Sequence, residues 1–181
     1  MPLHGCTKMV EKIVDHPNIH LILNTDFRPV KDQLSFGELI YTGPADEYFD
    51  WCFAKLPYYS LRFDHQTLDE ADFQPVSGVN FSSDQAYIRI TEYEKLTGQE
   101  HPKTSFTFEY PQDVGDSFYP VPRLENADLY RSYKHLADQQ TSVYFVSLLD
   151  TYRYYNRDQM VAQVLTLHKK LVGVESLHIV T

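Results

Sequence analysis

The 181 residues predict a mixed α+β fold, with an antiparallel sheet in the middle of the chain and α/β pieces at both ends. Two observations carry this expectation. Four strand-like runs between Ser60 and Tyr110 are separated by clusters of Asp, Gln, Gly and Pro, which is the spacing of an antiparallel sheet. On either side, stretches with a helical apolar period lie next to single short apolar strands, the material of parallel α/β layers. These ends supply few parallel partners for one another, so they read as parts of a larger domain.

The first element is a helix with Thr7 as its N-cap and Met9, Val10, Ile13 and Val14 along one stripe, stopped by His16-Pro17-Asn18. Ile19 to Leu23 then predicts a short, mostly buried strand, followed by a turn at Asn24-Thr25-Asp26. Leu39-Ile40-Tyr41 is another short strand, closed by Thr42-Gly43-Pro44, and Asp46 to Phe53 predicts a short helix crowded with aromatics. The sheet follows in four runs: Ser60 to Phe63, Val76 to Phe81, Tyr87 to Thr91 and Thr104 to Tyr110. Asn126 begins a helix carrying Leu129, Tyr130, Tyr133, Leu136 and Ala137 on one face, and Val143 to Val146 is a strand. Asn156 with Gln159 makes a capping box, and Val161, Val164, Leu165, His168, Leu171 and Val172 repeat behind it at helical spacing. Gly173 is the expected C′ residue, and His168 reads as a core or boundary histidine. The changes of pattern place domain limits at residues 1–38, 39–140 and 141–181.

Charge narrows the function. The formal net charge is -9 and the pI about 5.3, so the chain lacks the positive surface that a nucleic-acid partner requires. A small phosphate-bearing ligand stays open, because a few local arginines serve a diphosphate inside an acidic protein. Mean hydropathy is -0.41 and no long apolar run occurs, so no membrane insertion is expected. Met1-Pro2-Leu3-His4-Gly5 shows neither a basic start nor an apolar stretch, and a cytoplasmic location is expected. Cys6 and Cys52 form no C-x-x-C pair and are expected as thiols. The histidines contain no H-E-x-x-H pattern, and no metal site is expected. Fourteen Tyr and eleven Phe suit either stacking on a base or sugar or a sheet packed with aromatics; composition does not choose.

A specific resemblance enters at Ile40-Tyr41-Thr42-Gly43-Pro44-Ala45-Asp46-Glu47-Tyr48-Phe49-Asp50. This segment resembles "VYTGPIDEYFDY" of bacterial UDP-galactopyranose mutases. Further similar blocks follow in the family's order: Tyr58 to Phe63, Val79-Asn80-Phe81, Tyr87 to Glu92, Phe118 to Val121 and Thr151 to Asn156. The resemblance runs from about Pro2 to about Leu171. It implies that the α/β ends are remnants of an FAD-binding domain, with the antiparallel sheet on the substrate side. It also implies the chemistry: interconversion of UDP-galactopyranose and UDP-galactofuranose through reduced FAD, with the protein holding the diphosphate and orienting the sugar.

Residue by residue, the resemblance implies four substrate positions and three on the FAD side. Arg89 matches the diphosphate arginine of "YTRITEH"; Tyr119 and Tyr154 match the hydroxyl donors of "YYP" and "GTYRY"; Asn80 matches the asparagine of "VNY" near the nucleotide sugar. Read without the family, Arg89 would pair with Glu92 or another surface carboxylate, and each tyrosine would be a packing residue. Gly5 and Thr7 match the stretch before the family's helix, and Asn156 stands where the family has an acidic residue near the flavin. No residue is assigned a catalytic role.

The departures matter as much. The seven glycines nowhere form G-x-G-x-x-G, so FAD is not expected to bind stably to this chain alone. Leu148 stands where the family has an arginine, Tyr59 replaces the arginine of "GYRT", and Cys6 replaces a tyrosine. Three readings stay open: a shortened mutase inactive alone, a flavin-free module binding UDP-galactose in pyranose or furanose form, or an interaction fragment. The partner would be a second copy or a separate flavin-binding chain.

Overall fold

The computed structural model describes residues 2–82 and 84–173. In chain order the elements are α1 (Gly5–Val14), α2 (Phe27–Val30), a 3-10 turn (Lys31–Gln33), β1 (Leu39–Tyr41), α3 (Ala45–Tyr48) and β2 (Tyr58–Leu68). Then come β3 (Gly78–Asn80), β4 (Arg89–Glu92), α4 (Tyr93–Thr97), β5 (Thr104–Gln112), β6 (Tyr119–Pro120), α5 (Leu124–Asp138), β7 (Val143–Phe145) and α6 (Arg157–Val172). The chain divides into two units, residues 1–27 with 61–115 and residues 28–60 with 116–181. The division falls within β2.

In the first unit the expected sheet is present with strand order β3-β4-β5-β2. β3 and β4 are antiparallel, with Asn80 opposite Arg89; β4 and β5 are antiparallel, with Arg89 opposite Glu109 and Glu92 opposite Phe106. Alternation along β5 puts Thr104, Phe106, Phe108 and Tyr110 on one face. Phe106 is 2% exposed and stacks on Phe73 at a centroid distance of 4.0 Å, and Phe108 meets Tyr87 edge-on at 4.9 Å. Much of the aromatic excess in this unit is therefore sheet packing. Glu92 is fully buried, yet its carboxylate accepts the N–H groups of Phe73 and Gln74 and the Thr104 hydroxyl at 2.9, 3.0 and 2.7 Å. These bonds fasten the loop before β3 to the sheet.

Two expectations in this unit need correction. Thr7 does not cap α1. The helix begins three residues earlier than that cap implies, at Gly5, with His4 at the cap and no capping side chain. Ile19 to Leu23 is neither a strand nor buried: Leu21, Ile22 and Leu23 are 58%, 66% and 74% exposed. A β-prone run becomes a strand only beside a hydrogen-bonding neighbour, and the sheet of this unit does not include it.

In the second unit β1 pairs in parallel with β7, Leu39 to Tyr41 against Val143 to Phe145. The parallel pair is thus made by the run at Leu39, not by Ile19 to Leu23. The core gathers Ala45, Leu56, Tyr133 and Tyr152, with Phe49, Tyr58, Leu129 and Tyr130 packed against it. The Tyr133 hydroxyl donates to the Ala54 carbonyl at 2.7 Å and accepts the N–H groups of Phe53 and Ala54 at 3.2 Å.

The helix expected from Asp46 to Phe53 stops at Tyr48. Asp50 and Trp51 take left-handed φ of 52° and 54°, and Trp51 donates its N–H to the Asp46 carbonyl at 2.8 Å. Arg28 and Lys55 lie over the Trp51 ring at 4.2 and 4.7 Å, fixing this non-helical turn. Asn126 lies inside α5, its amide folded back on the Val121 carbonyl at 2.9 Å. The capping box of α6 forms, with the Asn156 N–H on Gln159 Oε1 at 2.9 Å, and Gly173 has the left-handed φ of 68° expected of a C′ residue. His168 is exposed, not a core residue, because the α6 face it shares with Val161, Val164 and Leu165 is itself uncovered; these three are 57%, 44% and 51% exposed.

Candidate functional site

Arg89 is placed by strand alternation. Ile90 and Glu92 point inward at 5% and 0% exposure, so Arg89 and Thr91 project from the opposite face of β4. The register sets Arg89 between Asn80 on β3 and Glu109 on β5. Its Nε donates to Asn80 Oδ1 at 2.8 Å, and one terminal nitrogen lies 3.8 Å from Glu109 Oε1. The carboxylate partner is thus Glu109 rather than Glu92, whose oxygens are occupied in the core. Such a loose ion pair, with the arginine side chain 46% exposed, is worth no more than about 1 kcal/mol. The guanidinium is therefore oriented at its Nε edge and accessible to a phosphate elsewhere.

The same face carries a hydroxyl cluster. Thr107, opposite Thr91, has its hydroxyl 2.6 Å from His65 Nδ1 and 2.7 Å from the Tyr93 hydroxyl. Neither Glu109 nor this cluster was singled out in the sequence. Only the alternation of β5 would have put Glu109 and Thr107 on the face of Arg89.

In the second unit the structure brings Tyr119 and Tyr154 together. Their ring centroids are 5.7 Å apart and their planes inclined by 42°. Tyr119 sits on β6 opposite Tyr59, so the phenols of these cross-strand partners lie on one face. Tyr154 is 67% exposed and Tyr59 50%. The segment bearing Tyr154 is fixed at both ends. Before it, Tyr152 is buried with φ of 51°, its hydroxyl donating to the Pro57 carbonyl at 2.6 Å; after it stands the α6 capping box. Tyr154 is held out from the surface between two anchors. Behind them, burial pushes the Tyr58 hydroxyl well above the ordinary phenol range and Tyr130 up to about 12, so both remain neutral hydrogen-bonding groups. Tyr58 donates to the Leu149 carbonyl at 2.9 Å.

The remaining expected positions fare differently. Gly5 has φ of 80° at the start of α1, and an added Cβ would meet nothing within 4 Å. Thr7 is exposed within the helix, and Asn156 is engaged as the cap of α6. The pyrophosphate of a flavin dinucleotide does not fit these residues. It needs glycines that let backbone amides approach between a strand and a helix. The turn from β1 to α3 has one glycine, Gly43, and its open side is filled: a Cβ there would lie 2.5 Å from the Tyr41 hydroxyl. The helix that follows is only four residues long.

Among the described residues no group of three or more His, Cys, Asp or Glu is arranged to hold a metal ion, and both cysteines are free. His16 and His20 stand four apart, a ligand spacing only on a helix, and here the chain turns instead. No helix among the described residues is long and apolar enough to cross a membrane.

The family model for UDP-galactopyranose mutase matches residues 1–154. A probable UDP-galactopyranose mutase of Klebsiella pneumoniae is 32% identical over 170 residues, covering 91% of this chain and 44% of that protein. A UDP-galactopyranose mutase of Mycoplasma pneumoniae is 30% identical over 190 residues, covering 95% and 48%. A dTDP-fucopyranose mutase of Escherichia coli is 25% identical over 175 residues, covering 91% and 46%. The chain spans less than half the length of the curated relatives it matches.

Proposed function

We propose, from the premise that this chain belongs to the UDP-galactopyranose mutase family, that it carries the family's nucleotide-sugar-holding residues without a flavin cradle. Arg89, oriented by Asn80, supplies the charge that a diphosphate requires, and Tyr119 and Tyr154 offer hydroxyls and ring faces to the nucleotide sugar. The observation that carries this reading is the Nε bond of Arg89 to Asn80 at 2.8 Å, which orients an exposed guanidinium beside only a loose carboxylate partner. UDP-galactose, pyranose or furanose, is the ligand. Residues 1–38 and 141–181 belong with the flavin-binding part in this reading, 39–140 with the substrate side, and the location is cytoplasmic.

Turnover is a different matter. The family's chemistry runs through reduced FAD, and the 181 residues lack the glycine spacing that holds its pyrophosphate. This chain alone binds nucleotide sugar and does not turn it over. Saturation-transfer NMR with UDP-galactose tests the binding: transfer to uracil and sugar protons is expected, and its absence at millimolar ligand overturns the reading.

A second reading rests on β1 and β7. Among the described residues they form a two-stranded parallel sheet, whereas parallel sheets are normally wider and covered on both faces. On this reading the second unit docks against a second copy or a separate flavin-binding chain, through α6 residues such as Val161 and Leu165. Light scattering of the purified chain distinguishes a dimer from a monomer awaiting another partner.

A further inference from the structure

The second unit contains a cavity of about 330 Å³ lined from α5, β7, the segment before α6 and the end of α6. Its wall holds a carboxyl group that the fold leaves unused. Asp150 is 4% exposed and lines the cavity. Its backbone N–H donates to Ser147 Oγ at 2.8 Å, but among the described residues no group donates a hydrogen bond to its side-chain oxygens. Asp46, equally buried, differs: one oxygen accepts the Leu56 N–H at 2.9 Å, and the other, Oδ1, is sealed from solvent without a partner among the described residues. The Asp150 oxygens are not sealed off in this way; they face the cavity, where a group that enters can donate to them.

The other lining groups define that donor. Lys134 is already paired with Asp138, at 2.7 and 2.8 Å. Lys170 also lines the cavity, from α6. An amine ligand would meet these two ammonium groups, and Asp138 is neutralised. Burial also pushes the Asp150 carboxyl up to about 7, with Lys134 opposing the shift, which suits a hydroxyl donor better than a cation. Thr151 donates its own hydroxyl to the Ser147 carbonyl at 2.6 Å, leaving its oxygen to accept, and Gln140 adds an amide. Tyr130 and Phe145 supply apolar wall for the C–H face of a ring. The volume is at the lower end of the ligand-pocket range of about 300–1,000 Å³, which favours one ring over a nucleotide.

We propose that this cavity binds an anionic monosaccharide, its hydroxyls donating to Asp150 and its phosphate or carboxylate meeting Lys170. The site is separate from the nucleotide-sugar residues: none of Asn80, Arg89, Tyr119 or Tyr154 lines it. The same chemistry comes from a phosphorylated sugar or a uronate, and the test separates the two.

The full chain, labelled with nitrogen-15, is titrated with glucose 6-phosphate, glucuronate, glucose and inorganic phosphate while amide shifts are followed. At least one anionic sugar should shift Gln140, Asp150, Thr151 and Lys170 saturably, binding about tenfold tighter than glucose or phosphate. Whichever binds identifies the anionic group. Asp150→Ala should erase the preference for sugar over phosphate. Lys170→Ala, on an exposed helix position that leaves folding intact, should weaken the sugar about tenfold. Shifts elsewhere, no shift with either anionic sugar, glucose or phosphate binding as tightly, or sugar binding unchanged in both variants would overturn the proposal.

Discussion

Arg89 and Asn80 face each other across the β3–β4 ladder, and the guanidinium Nε donates to the Asn80 side-chain oxygen at 2.8 Å. Asparagine thus holds the arginine by its inner edge. Asn80→Ala frees the guanidinium to rotate or to settle on Glu109, and UDP affinity should fall about fivefold. Both residues are exposed, so the melting temperature should barely change. Titration calorimetry and a melt on the same sample check both halves.

Tyr154 rests against Tyr119 at 5.7 Å and is largely exposed, which leaves its hydroxyl available to a ligand. Tyr154→Phe keeps the ring contact and removes the donor, so affinity for UDP-galactose should drop by about tenfold. Tyr154→Ala also removes an aromatic contact worth about 0.5–1.5 kcal/mol and should bind more weakly still. Equal affinity in wild type and Tyr154→Phe would assign this tyrosine a packing role.

Asp150 makes stability fall as pH rises. Its carboxyl titrates near 7 in the folded chain, against roughly 3.9 when unfolded. Between these values the folded state keeps a proton that the unfolded state has lost, so this contribution is complete below about pH 4 and lost as pH passes about 7. Asp150→Asn removes the ionisation. Urea unfolding should show the variant more stable than wild type at pH 8, by an amount on the order of a few kcal/mol, and nearly equal to it at pH 4.

The isolated chain should show no mutase turnover. With FAD, dithionite and UDP-galactofuranose, chromatography should find no more pyranose than a control without protein. Misplacing a reacting group by about an ångström costs on the order of a hundredfold, and here the pyrophosphate cradle is missing from the sequence altogether.

The sheet was legible because its pattern is local. The β4 and β5 runs carry period-two alternation, and both formed within a residue or two of their expected limits. The capping box at Asn156 and the stop at Gly173 were legible for the same reason. Ile19 to Leu23 misled because its strand signal is real but needs an edge to pair with, which no local pattern reports. The helix at Asp46 was overrun because the Arg28–Trp51–Lys55 stack that turns the chain is a tertiary contact. Arg89 and Asn80 enter the candidate site, as a proposal, only through their family blocks. Glu109 was not legible, since it is linked to Arg89 by ladder register alone. Asp150 escaped notice because nothing in Leu148-Leu149-Asp150-Thr151 tells a buried carboxyl from a solvated one.

The most direct test of nucleotide-diphosphate binding without flavin is calorimetric titration of UDP into flavin-free wild type and Arg89→Ala. The wild type should bind UDP saturably, and the variant at least about tenfold more weakly, because a charge-assisted bond to phosphate is lost from an exposed residue whose removal leaves the sheet intact. Absence of UDP binding by the wild type, or equal affinity in the two proteins, would contradict the account.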